Sequence, residues 1–153
     1  MEIKKFKMIK DKNSVLVIAA HPDDEVLGCG GTIAKLSKKG IKVNILFISN
    51  GVDSRNQKKP QTKIKILERK KAAKISSHIL GAKKISFANL SDNQLDKYPL
   101  LKVIKIVEKY IRKLKPKTIY THYENDLNID HQIVNKAVIT ATRPQKKSSV
   151  KNI

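Results

Sequence analysis

The sequence predicts an α/β domain, three-layered and Rossmann-like, with a mostly parallel sheet between two layers of helices. Three observations point there. Short apolar runs, partly β-branched, alternate four times with segments of helical period. The runs are almost continuously apolar, as strands covered on both faces must be. The breaks between them carry Gly, Pro or Asn-Gly, residues that interrupt both kinds of element. The resulting order, β-α-β-α-β-α-β-α, is that of a doubly wound fold.

Taken in turn, Ser14 to Ala20 (SVLVIAA) reads as a buried strand that runs into His21-Pro22. Glu25 to Lys39 has helical period, with Val26, Leu27, Ile33, Ala34 and Leu36 apolar and Gly40 as the stop. Lys42 to Ser49 is a second strand, broken by Asn50-Gly51. Asp53 to Thr62 is polar and reads as a loop. Lys63 to Leu80 is a helix ended by Gly81, with Ile64, Leu67, Ala72, Ile75 and Ile79 available for its packed face. Lys84 to Ala88 is a third strand and Asn89 to Asp96 a polar loop. Leu100 to Leu114 repeats apolar residues at Leu100, Val103, Ile104, Val107 and Ile111 before Pro116 closes it. Thr118 to Thr121 is the fourth strand, and Asp130 to Thr142 the last helix, stopped by Pro144. One domain is expected over residues 1–144. Residues 145–153 read as a basic tail, or as the start of a missing C-terminal part, with Val150 and Ile153 able to begin another strand.

Composition narrows the function classes. The 153 residues are 40% hydrophobic and 30% charged, a globular balance, but aromatics are only 5% and Trp is absent, so the core must rest on Ile, Leu, Val and Ala. A single cysteine, Cys29, rules out an internal disulfide and a multi-cysteine zinc knot. No apolar run approaches the ~20 residues that cross a bilayer. The basic N-terminus lacks the apolar stretch of a signal peptide, so the expected location is the cytoplasm. The net charge of +20 suggests polyanions, yet only 4 of the 33 basic residues are Arg, at 55, 69, 112 and 143. Arg is the better residue for bidentate phosphate or base contacts. The lysines are spread over the whole chain, so they read as a solvated coat, and no specific nucleic-acid partner is expected.

The chemistry gathers where strands end. Ligands of open α/β sheets bind beyond the carboxyl ends of the strands. There the first strand delivers His21-Pro22-Asp23-Asp24-Glu25. An imidazole and carboxylates at the end of a buried strand are costly unless something pairs with them, and a divalent cation would. His21 and Asp24, at i and i+3 across a turn, can hold one ion from two sides, and the donor set suits Zn²⁺. The fourth strand is followed by Asp126-Leu127-Asn128-Ile129-Asp130-His131. His131 is the candidate third ligand, with Asp130 beside it able to orient an imidazole. Three protein ligands and an open position form the catalytic pattern for zinc. The competing reading makes Asp23 or Asp24 one helix N-cap and Asp130 another. The run Gly28-Cys29-Gly30-Gly31 does not match a dinucleotide-binding loop. It reads instead as glycines allowing close helix–sheet approach, with Cys29 a small buried residue rather than a nucleophile.

Ala20-His21-Pro22-Asp23-Asp24-Glu25 followed by Gly28-x-Gly-Gly-Thr32 resembles the signature of the PIG-L/LmbE-like zinc-dependent N-deacetylases. Ser49-Asn50-Gly51 with Arg55, the helix from Glu68 to Gly81, Asp92-Asn93-x-Leu95-Asp96 and the 126–131 motif resemble further family segments in the same order. The resemblance covers about residues 14–144. It implies removal of an acetyl group from an N-acetylglucosamine-type sugar or glycoconjugate. His21, Asp24 and His131 would hold Zn²⁺, with Fe²⁺ the other metal an N/O site admits. Asp23 would be the general base on the attacking water. Arg55 would contact substrate or stabilise the intermediate, Asp92 would bind sugar hydroxyls, and Asp130 would support the ligands.

Two departures from the family pattern stand out. Many members carry a second histidine three residues before the last ligand, where this chain has Asn128. Asn donates a hydrogen bond but no proton. His122, at the end of the fourth strand, is the candidate replacement, and its plainer reading is a strand-end side chain facing water. Members also usually continue beyond the Thr142-Arg143-Pro144 region with strands that shape the pocket. The alternatives to an active hydrolase are therefore a catalytically impaired or truncated metal-binding member, or a basic nucleic-acid-binding protein. The sequence does not set the oligomeric state.

Overall fold

The computed structural model describes residues 14–52, 54, 59–144 and 148–153. The elements follow the predicted order: β1 (Ser14–Ala19), α1 (Asp24–Lys38), β2 (Lys42–Ser49), α2 (Lys59–Ile79), β3 (Lys84–Leu90), a 3₁₀ turn (Leu95–Lys97), α3 (Leu100–Leu114), β4 (Thr118–Tyr120) and α4 (Ile129–Ala141). Among the described residues four strands form one sheet, ordered β3-β2-β1-β4, with every neighbouring pair parallel. The chain steps outward from β1 to β3, then crosses back to place β4 on the other side of β1. That reversal opens a crevice between the carboxyl ends of β1 and β4.

Alternation along β1 fills both faces. Val15, Val17 and Ala19 join Val43, Ile45 and Phe47 of β2 beneath Ile33 of α1 and Ala73 of α2. Leu16, Ile18 and Ala20 join Leu46, Ile48 and Ile119 beneath Val103 and Val107 of α3 and Val134 and Ala137 of α4. Each Val, Leu, Ile or Phe among them, withdrawn from water, contributes about 1.5–3 kcal/mol before entropy is counted. The central strands are therefore apolar on both faces, which is why their sequences show no alternation.

Three details differ from the sequence reading. First, α2 begins within the expected polar loop, at Lys59, and it buries Ala73 and Ser77 rather than the expected stripe. Ile64, Leu67, Ile75 and Ile79 are exposed, because the small residues are the ones that let the helix sit on the sheet. Second, α1 breaks at Cys29, whose backbone (φ −145°, ψ 21°) is not helical. A Cβ at Gly28 or Gly31 would meet nothing within 4 Å, so these glycines accompany a kink rather than a close approach. Third, the expected loop after β3 holds the 3₁₀ turn, whose Leu95 is fully buried. Beyond β4, Thr118 makes a single parallel bridge to Asn152.

Candidate metal centre

Two connections build the site, one after β1 and one after β4. The first turns sharply after Ala20. The His21 N–H donates to Asp24 Oδ2 at 2.8 Å, which folds the Asp24 carboxylate back over the strand end. Room for this turn depends on Gly51. A Cβ there would stand 2.9 Å from Pro22 Cδ, and its φ of +69° also favours glycine. The second connection is ordered by its own side chains. Asp126 accepts the Asn128 N–H at 2.9 Å, and Asn128 Oδ1 caps α4 by accepting the N–H groups of Asp130 (2.8 Å) and His131 (3.4 Å).

These turns bring His21, Asp24 and His131 together, each offering a ligand atom within 4.8 Å of the others. Asp24 Oδ2 lies 3.3 Å from both His21 Nδ1 and His131 Nε2. The outer nitrogens are already committed. His131 Nδ1 sits 2.9 Å from Asp126 Oδ2, and His21 Nε2 lies 3.1 Å from both Asp130 Oδ2 and Asp92 Oδ1. A neutral ring that donates from its outer nitrogen presents a bare lone pair from the inner one. His131 Nε2 is accordingly buried with no hydrogen-bond partner, facing a carboxylate oxygen. Two acceptors at that distance repel unless a cation sits with them. The donor set thus fits a divalent ion, with His21, Asp24 and His131 the residues able to hold it. The two other groupings of the same chemistry, His122-Asp126-His131 and His21-Asp92-Asp130, are already joined internally through the Asp126 and Asp130 contacts.

The electrostatics agree. Burial disfavours charge on His21, but Asp130, Asp24 and Asp92 outweigh it and push the ring up to about 11. Burial likewise opposes ionisation of Asp24, and the two hydrogen bonds linking it to His21, followed by the His131 and His122 rings, hold it below the usual carboxylate range. In the metal-free protein a proton on His21 answers the surrounding carboxylates, and a bound cation would take over that role.

The other predicted residues take distinct places. Asp130 is fully buried and does more than touch His21. Its carboxylate accepts the N–H groups of Asn93 (2.9 Å) and Leu95 (3.0 Å), fastening the 3₁₀ segment to α4. Asp92 is also buried, against His21 and within 3.4 Å of the Ser54 N–H. Asn128 caps α4 and donates from Nδ2 to Asn93 Oδ1 at 3.1 Å. His122 Nε2 accepts the Ala20 N–H at 2.8 Å, and its ring stacks on His131 at 3.8 Å between centroids. Burial first, then the His131 ring, lowers its pKa to about 4. Arg55 lies outside the described residues.

Asp23 stands at the mouth of the site. Its backbone is left-handed (φ 137°, ψ −31°), a costly conformation for Asp, and its side chain makes no capping bond to α1. The carboxylate instead meets Arg69 Nη1 at 2.8 Å. The same guanidinium reaches the Pro22 and Gly51 carbonyls. Asp23, Arg69, Asp92, Asn93, Asn128 and Lys65 help line an open polar cleft of about 680 Å³ that has His21, Asp24 and His131 in its wall. His122 lines a separate cavity of about 320 Å³ with Cys29 and Tyr120. The roles of Arg69 and Asp126 escaped the sequence reading. Asp126 could have been inferred from its place five residues before His131, whereas nothing local ties Arg69 to Asp23.

The stretch that carries this His-Asp-His group and Asp23 is matched by a family model. It covers residues 16–142 and is described as PIG-L, GlcNAc-PI de-N-acetylase. The chain belongs to the PIG-L family. Relatives of this PIG-L chain include the diacetylchitobiose deacetylase of Thermococcus kodakarensis, 36% identical over 69% of this chain and 39% of the relative. A Bacillus cereus protein named "Probable N-acetyl-alpha-D-glucosaminyl L-malate deacetylase 2" is 31% identical over 87% of this chain and 62% of its own length. The solved N,N'-diacetylchitobiose deacetylase of Pyrococcus horikoshii superposes with a TM-score of 0.76 at 30% identity, covering 85% of this chain and 49% of that one. This PIG-L chain therefore spans roughly half of those deacetylases' length. No helix among the described residues is long and apolar enough to cross a membrane.

Proposed function

We propose that this protein is a zinc-dependent hydrolase that removes the N-acetyl group from an N-acetylglucosamine-type sugar or glycoconjugate. The observation that carries the reading is the buried, unpartnered His131 Nε2 facing Asp24 and His21, with the Asp23 carboxylate at the cleft beside them. A divalent ion bound there would supply a Lewis acid that polarises an amide carbonyl and brings the pKa of water toward ~7. The chain's own residues do the rest. Asp23 accepts a proton from the attacking water and returns it to the departing amine as the C–N bond breaks, leaving acetate and a free amino sugar. Arg69 holds the Asp23 carboxylate by an ion pair at 2.8 Å, directed into the cleft. His131 is held in its ligating tautomer by Asp126, and His21 by Asp130 and Asp92.

Proton return is assigned to Asp23 because the alternatives are occupied. Asn128 has no proton to give and serves as a helix cap. His122 lines the other cavity and takes the Ala20 N–H at Nε2, so we assign it to packing behind His131. Sugar hydroxyls would meet Asn93, Asn128 and Lys65 in the cleft. The Asp92 carboxylate reaches them as a group already shared with His21 and Ser54. The relatives' names, diacetylchitobiose and N-acetylglucosaminyl malate deacetylases, support this substrate class.

The test is zinc content together with acetate release from N-acetylglucosamine and diacetylchitobiose. About one zinc per chain with acetate released, both lost in His131→Ala, supports the reading. Zinc without acetate selects the impaired, metal-binding alternative that Asn128 brings forward.

A further inference from the structure

We propose that Glu25 is a positioning residue that holds the Asp23 peptide in its left-handed conformation and so aims the Asp23 carboxylate into the cleft. An ordinary helix N-cap has extended backbone, and its own side chain caps the first turn. Asp23 has neither property. Its φ is 137°, and its side chain leaves the helix for Arg69. The capping work passes to Glu25, whose Oε2 accepts the Asp23 N–H at 3.0 Å, while the Asp23 carbonyl accepts the N–H groups of Val26 and Leu27, each at 3.0 Å. Asp23 is therefore gripped on both sides of its Cα, and its side chain, released from capping, meets Arg69 at the cleft.

Glu25 is a poor choice for stability alone. It is 1% exposed, and its Oε1 is buried with no hydrogen-bond partner. A buried carboxyl with one unanswered oxygen costs free energy that an apolar residue of the same size would not. What it gains is the one amide whose direction sets the base. Glu25 lines the cavity on the far side of Asp24, so it acts through Asp23 and not on a substrate. The inference rests on Asp23 being the proton acceptor proposed above, and the experiment separates the two.

Three variants of the whole protein and two readouts decide it. Glu25→Gln keeps an acceptor oxygen, Glu25→Met keeps the length without one, and Glu25→Asp keeps the charge but falls short. The expected result is kcat near wild type in Gln and about 100-fold lower in Met and Asp, with KM and zinc content unchanged. In the metal-free protein the Asp23 amide, read by NMR hydrogen exchange, should stay protected in wild type and Gln and lose protection in Met and Asp. A folded Met variant with wild-type kcat and a protected amide overturns the proposal. So does a Gln variant as impaired as Met, which would indicate a requirement for charge. If Met does not fold, the Gln and Asp pair carries the same decision. Should Asp23→Asn still release acetate, or should wild type release none, the reading of the base fails. The amide protection pattern then decides by itself whether Glu25 holds that peptide.

Discussion

Helices α3 and α2 both carry an apolar stripe at helical spacing, and only one of them packs. On α3, Val103, Ile104 and Val107 lie against the sheet and α4. On α2, Ile64, Leu67, Ile75 and Ile79 are 53–76% exposed, and the helix touches the core through Ala73. The site straddles the same divide. Its metal-holding half hangs from the buried strand β1, which runs into His21 and Asp24, and from α4, wedged against α3, which carries His131 and the fully buried Asp130. Its Asp23 half is steadied by Arg69, on the lightly anchored α2, through a pair about half exposed. The difference teaches that ligands are placed by a rigid core, whereas the proton acceptor is placed by local contacts at the surface.

The largest effect should come from the rigid half. Asp24→Ala removes the one carboxylate oxygen that faces both imidazoles. Zinc content by elemental analysis should fall from about one per chain to none. Metal retained at full occupancy would break the assignment of that half.

The next effect belongs to the surface half. Asp23→Asn should lower acetate release by about 10²–10⁴-fold, the usual weight of a general base, with zinc unchanged. Arg69→Met should lower it less, about tenfold, by loosening the same carboxylate. Because the Asp23–Arg69 pair is half exposed, its loss should cost at most about 1 kcal/mol in denaturant unfolding.

Packing itself gives a smaller, sharper contrast. Val107→Ala, on the buried face of α3, should cost about 1–3 kcal/mol, because the cavity it leaves is fully enclosed. Leu67→Ala on α2 should stay within about 0.5 kcal/mol. Equal losses in urea titrations would mean that the α2 stripe is covered in solution.

The last contrast is one of pH. In the metal-free protein His21 is raised to about 11 from 6.5. Its contribution to stability is therefore complete below about 6.5 and is lost as pH rises through about 11. Zinc must displace that proton, so its affinity should climb up to tenfold per pH unit over this window. Calorimetry in buffers of different ionisation heat should count about one proton released per zinc at neutral pH, and none would contradict the charged His21.

The parts of the fold and site that were legible were the local ones. The strands announce themselves because a parallel strand buried on both faces needs a near-continuous apolar run, as in Val15 to Ala20 and Ile45 to Ile48. His21 with Asp24, and Asp126 through His131, were visible because each group spans a single turn. The face that α2 would bury was not legible, because helical period reports that an apolar face exists and not what covers it. Arg69 and Asp23 are 46 positions apart and meet only in space. The break in α1 at Cys29 followed from the glycines, though the sequence alone suggested a packing role for them.

By itself, then, the sequence determined the alternation of elements, the strand ends that bear ligands and the chemistry those ligands favour, since each is fixed by spacing within a few residues. Only the tertiary structure decided which nitrogen of each imidazole is free, where Asp23 points and which cavity His122 faces. Those are properties of contacts between chain segments far apart in sequence, made when β4 crosses back beside β1 and brings Asp126, Asp130 and His131 onto His21 and Asp24.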